Sequence, residues 1–125
     1  MALLPVLLPV VLAVSVPLPS SDSELHFGID VARKGLWDEA RFRFEKAVEL
    51  DPNNAAALND LAVALEQQGE FDKARAAYEK ALKLKPGNLQ IQQNYDLFRE
   101  ADDKRNRKKK PTVTPTPTPA PPPTP

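Results

Sequence analysis

The chain has 125 residues, one histidine, no cysteine and 17 acidic against 17 basic side chains, which leaves room for one small domain and excludes disulfides, thiol catalysis, thiolate metal sites and lipid attachment through an N-terminal cysteine. The neutral total hides a division, because residues 22–103 hold all 17 acids against 11 bases, a net of −6, while residues 104–125 hold six bases and no acid. An acidic folding segment repels phosphates, so nucleic acid is disfavoured as its ligand.

Residues 1–18 form an uncharged apolar run whose length suits the core of a secretory signal peptide. Pro5, Pro9 and Pro17 each remove a backbone donor, which argues against a membrane-spanning helix. Ala13-Val14-Ser15 offers a small-x-small cleavage point after Ser15, with Ala13 as the alternative end. No Lys or Arg precedes the run, so only the amino terminus supplies the usual positive charge. Residues 1–20 are therefore read as a signal peptide or apolar leader. Removal of that leader implies an extracytoplasmic protein, periplasmic or secreted; its retention implies a cytoplasmic one.

Ser21 and Glu24 have the spacing of a capping box, which predicts a helix start there, with Phe27, Gly28 and Val31 facing inward. Gly35 supplies a left-handed turn. A second helix is predicted from Trp37 to Leu50, with Trp37, Ala40, Phe44, Ala47 and Val48 on one face, and Asp51-Pro52-Asn53-Asn54 ends it and caps the next. Leu58, Leu61, Ala62 and Leu65 line a third helix, Gly69 turns it, and Phe71, Ala74, Tyr78, Ala81 and Leu82 line a fourth. Ile91, Tyr95 and Phe98 then mark one further stripe, on a helix reaching about Lys104. Its other side carries Gln92, Gln93, Asp96, Arg99, Glu100 and Asp103 and suits a cap over an otherwise exposed apolar face. Residues 104–110 are a basic block, and residues 111–125 hold only Pro, Thr, Ala and one Val, too few apolar side chains to fold, so an extended disordered end is expected.

One pattern is written twice at an offset of 34 residues: Gly35 recurs as Gly69, Trp37 as Phe71, Ala40 as Ala74, Phe44 as Tyr78, Glu45 as Glu79, Ala47 as Ala81, Pro52 as Pro86 and Asn54 as Asn88. A period of that size with small, aromatic and proline matches points to stacked helical hairpins. The pattern G-x-[WF]-D-x-A-R-x-x-[FY]-E-K-A-x-x-L-x-P resembles the second half of the tetratricopeptide repeat (TPR) consensus. The resemblance implies an all-α, TPR-like right-handed superhelix: a first repeat at 21–54, a second at 55–88, a capping helix at 89–104 and a basic then Pro/Thr-rich tail at 105–125. Glu24 departs from it, standing where the pattern prefers tryptophan or leucine, as do Asp96 and Arg99 in the last helix.

Candidate chemistry is sparse. His26 has no second ligand or paired nucleophile, and there is no glycine-rich phosphate loop, so no catalytic residue, metal, cofactor or small-molecule substrate is assigned. The basic block attracts phosphates but has no aromatic residue to stack on bases, and positive charge at a helix C-terminus needs no ligand to explain it. The resemblance implies a non-catalytic module that binds a protein or peptide in a concave groove lined by the first helix of each unit. Positions 34 apart then fall in rows: Leu25, Asn59 and Gln93; Ile29, Val63 and Leu97; His26, Asp60 and Asn94. These rows contain no Lys or Arg, so the clamp that family members use on a partner's terminal carboxylate is absent. Aliphatic or aromatic anchors on Ile29 and Val63 are expected instead, with Asn59 and Gln93 bonding the ligand's backbone; otherwise Ile29 and Val63 only complete interhelical packing. A homodimeric scaffold is the alternative role, with Phe42 as its contact, about 200° around the helix from Phe44.

Overall fold

Paired turns of matching chemistry divide the chain. The computed structural model describes residues 13–110, in which five helices follow one another without a strand: α1 (Ser21–Arg33), α2 (Trp37–Leu50), α3 (Ala55–Gln67), α4 (Phe71–Leu84) and α5 (Leu89–Lys109). Most of the apolar leader and the Pro/Thr-rich end lie outside the described residues, and residues 13–20 are exposed and non-helical.

α1 and α3 end alike. Gly35 and Gly69 adopt φ of 77° and 76°, a region that side chains with a Cβ avoid. In each turn the glycine N–H reaches the carbonyl two residues before the C-cap (Gly35 to Ala32, 2.9 Å; Gly69 to Glu66, 3.0 Å), and the next N–H reaches one residue further back (Leu36 to Val31, 3.1 Å; Glu70 to Leu65, 2.9 Å). This is the Schellman closure, which satisfies carbonyls left free at a helix end. The longer turns start the next unit, where Asn54 Oδ1 accepts from Ala57 N at 3.0 Å and Asn88 Oδ1 from Ile91 N at 3.1 Å.

At the start of α1 the cap is Ser20 rather than Ser21. Ser20 Oγ accepts from Ser23 N at 3.1 Å and Ser23 Oγ accepts from Ser20 N at 2.8 Å, so the box closes with a serine in place of Glu24. Ser21 Oγ instead donates to the Ala47 carbonyl at 2.8 Å and accepts from Asn54 Nδ2 at 2.9 Å, tying the start of α1 to the turn that opens α3. Glu24 lies 3.3 Å from Arg43 Nη1 on α2.

α1 packs on α2 and α3 on α4; α2 and α3 join the hairpins, α4 carries α5, and α3 also touches α1 and α5. Ala40, Ala47, Ala62, Ala74 and Ala81 are fully buried, which lets the helices approach closely. Phe44 and Tyr78, equivalent across the 34-residue offset, fill the centres of the two hairpins, each ring contributing about 1.5–3 kcal/mol by burial. Leu25, Gly28 and Val31 are the buried side of α1. Phe27, expected inward, is 45% exposed beneath the Arg43 guanidinium, 4.3 Å from the ring centroid, because Leu25 takes the inward position.

α5 departs most from its sequence reading, since it continues five residues past Lys104. The stripe of Ile91, Tyr95 and Phe98 is extended by Asp102, which is buried. Arg75 of α4 and Arg105 both bind this carboxylate, Arg105 Nη2 at 3.1 Å, and Asn106 Nδ2 adds a contact at 3.3 Å. Arg105 also sits over Phe71, its guanidinium carbon 3.5 Å from the ring centroid. The first turn of the basic block is thus anchored to α4.

Burial pushes the Asp102 carboxyl up, but hydrogen bonds from Arg105 and Arg75 outweigh it and hold the group below its ordinary range. A depressed folded-state value stabilises the fold above the unfolded carboxyl's 3.8, and that contribution is lost as pH falls through the lower folded value. Asp102→Ala is expected to cost about 1–3 kcal/mol in urea denaturation at neutral pH, with both arginines partly solvated. The gap between wild type and variant should narrow in acid. A variant equal to wild type at neutral pH would show that the cluster does not hold α5.

Candidate functional site

The side of the array where α3 touches α1 and α5 is concave. A cavity of about 410 Å³ opens there, with Ile29, Ala32 and Arg33 from α1, Trp37 and Phe44 from α2, Asp60 and Val63 from α3, and Gln90 from α5. A second hollow of about 230 Å³ shares Ile29, Asp60 and Gln90 with the first and adds Leu25, Asn59 and the start of α5 at Asn88 and Ile91. Adjoining through these shared residues, the two hollows make a groove lined from four helices, α1, α2, α3 and α5.

Ile29 and Val63 are half-buried, packing against the two hairpin cores while lining the larger cavity. Leu25 and Asn59 are buried, 8% and 3% exposed, so they form the floor of the smaller hollow. Asp60 lines both hollows. Asn94 is half-buried and donates to Asn59 Oδ1 at 3.1 Å. Gln93 and Leu97 are exposed and line neither hollow, Leu97 at 67%; His26 is exposed on α1. Phe42 is 47% exposed away from the groove, with the charged groups of Arg43 and Lys46 at 5.4 and 6.0 Å from its ring centroid.

Residues absent from the predicted rows also line the two hollows, among them Gln90, Trp37 and Arg33. Gln90 belongs to the row one turn before Asn94, a position the offset itself would have found. Trp37 bears on the cavity from α2 as well as on the core. Arg33 follows Ile29 by one turn and brings a cation to the groove, which the rows alone had left without one; it is exposed and 3.3 Å from Asp30.

A chain of amides leads to Asp60. Asn94 Nδ2 donates to Asn59 Oδ1, and Asn59 Nδ2 donates to Asp60 Oδ1 at 3.0 Å. Burial raises the Asp60 carboxyl above its ordinary value, and the Asn59 hydrogen bond partly offsets this. Such a surface offers an apolar wall, oriented amides and one carboxylate, which suits non-covalent recognition of a side chain. Among the described residues no three His, Cys, Asp or Glu side chains gather as metal ligands, and no helix is long and apolar enough to cross a membrane.

A family model described as Tetratricopeptide repeat matches residues 25–88. Among solved structures, the chain is similar to the C-terminal TPR-containing domain of a protein described as an FK506-binding protein from Plasmodium falciparum, at 29% identity and a TM-score of 0.64, over 71% of this chain and 58% of that one. The chain therefore spans less than two thirds of that structure's length. No curated protein matches it.

Proposed function

This chain belongs to the tetratricopeptide repeat family, and we propose from that premise that it is a non-catalytic binding module whose concave groove receives a peptide segment of a partner protein. The observation that carries this reading is the cavity of about 410 Å³ whose apolar wall, Ile29 and Val63, stays half-buried instead of closing into the core. An extended segment placing an aliphatic or aromatic side chain on that wall would remove the remaining apolar surface from water, at roughly 25 cal/mol per Å². Around the anchor, the amide of Gln90, which lines both hollows, can bond a peptide backbone. Asn59 is already committed to Asp60 and Asn94, so it acts through them.

Val63→Asp tests the reading. Short peptides selected from a random displayed library against the full chain should lose binding to this variant, while its stability falls by only about 1 kcal/mol, since Val63 is not fully buried. A melting temperature that collapses together with binding would place Val63 in the core and overturn the groove assignment.

A further inference from the structure

Ion pairing among the partly buried carboxylates leaves out two of the described residues, Glu66, which accepts from Tyr78 Oη at 3.2 Å and lines neither hollow, and Asp60. Glu24 is paired with Arg43, Glu70 with Arg41 and Lys73, and Asp102 with Arg75 and Arg105. Asp60 has no cationic partner among the described residues; its one hydrogen bond is the Asn59 amide on Oδ1. A half-buried carboxylate left this way has lost part of its hydration without a compensating charge.

Orientation makes the group more than a leftover charge. The amide chain from Asn94 through Asn59 restrains Oδ1 from two helices, α5 and α3, and among the described residues no hydrogen bond occupies Oδ2. Beside the carboxylate, Ile29, Val63 and Trp37 line the same cavity, a surface suited to the methylene stem of a long cationic side chain and, at the indole, to its charged end. Among the described residues the one cation lining the cavity, Arg33, has Asp30 as its partner.

Resting on the groove reading above, we propose that the partner segment carries a lysine or arginine whose charged end binds Asp60 while its stem lies along Ile29 and Val63. Charge complementarity argues for this occupant over an acidic or terminal-carboxylate ligand, which would meet Asp60 as a like charge.

The test uses the full chain and the same displayed library. Selected peptides should be enriched in Lys or Arg next to an aliphatic or aromatic residue. Replacing that cation by norleucine in a synthetic copy should weaken binding by about ten- to a hundredfold, as expected for a charged hydrogen bond. Asp60→Asn, similar in shape, should lose the same factor and leave the norleucine peptide's binding unchanged. Selected peptides without a basic residue that still fail to bind Val63→Asp would overturn the Asp60 assignment and leave the groove reading standing. Peptides that bind Val63→Asp normally, or a library that yields no binder, would overturn both. Equal affinity for the lysine and norleucine peptides would also refute the proposal, whatever Asp60→Asn does to the fold.

Discussion

Phe98→Ala is expected to lower the unfolding free energy by about 3–5 kcal/mol, the range for deleting a fully buried aromatic ring. Phe98 has no exposed surface, and its ring lies 5.4 Å from Tyr78 and 6.3 Å from Tyr95, centroid to centroid. The guanidinium of Arg75 stands 5.4 Å and that of Arg105 5.9 Å from it. Removing the ring therefore opens a void in the core of the second hairpin and undercuts the neighbours of Asp102. Folded domains have roughly 0.05–0.15 kcal/mol of stability per residue, so the loss is a large share of the total for a chain this short. Because each hairpin in a repeat array is stabilised mainly by its neighbours, amide exchange should accelerate first in α5 and then in α3 and α4, with α1 and α2 following. Urea denaturation and hydrogen exchange would measure both. A loss below about 1 kcal/mol would show that α5 does not act as a cap.

The second large effect is expected at Gly28. A Cβ built there would lie 2.5 and 2.7 Å from ring carbons of Phe44 and 3.1 Å from Arg43 Cβ. Phe44 is 2% exposed, so its ring has little room to withdraw. Gly28→Leu should cost about 3 kcal/mol by overpacking, with α1 separating from α2. Gly28→Ala is the finer probe, because alanine gains about 1 kcal/mol of helix propensity that offsets part of the clash. Its net loss should be smaller and should shrink further in a Gly28→Ala, Phe44→Leu double variant, a coupling that a cycle of thermal or urea midpoints would reveal. If Gly28→Ala proves stabilising, the contact is looser than the geometry states. At the equivalent position of the second hairpin, Ala62 is fully buried near Tyr78, so the two units reach similar packing with different partitions of volume.

What could be read from residue order is what depends on near neighbours. Two glycines before two aromatic helix starts, 34 residues apart, specified reversals that only a positive φ permits, and structure and periodicity agree on two helical hairpins and a following helix. Small residues at Ala40, Ala47, Ala74 and Ala81 marked the close contacts for the same reason, since a periodic stripe reports which face turns inward. The family resemblance implied rows of positions 34 apart, of which Leu25, Ile29, Asn59, Asp60 and Val63 line the two hollows. Polar side chains resisted this reading, because whether one is buried depends on a partner far along the chain. Asp102 enters the core because Arg75, 27 residues earlier, meets it, and α5 runs on to Lys109 as Arg105 joins that pair over Phe71. Asn59 is buried because Asn94, 35 residues later, satisfies it, and this link holds Asp60 at the groove. Arg33 and Trp37 line the cavity because the hairpins pack together through α2 and α3, an arrangement carried by no single segment. Local periodicity and turn chemistry thus determined the helices and their pairing, whereas the tertiary structure alone decided which charges are buried, paired or left facing the groove, since desolvation and ion pairing are properties of residues brought together in space.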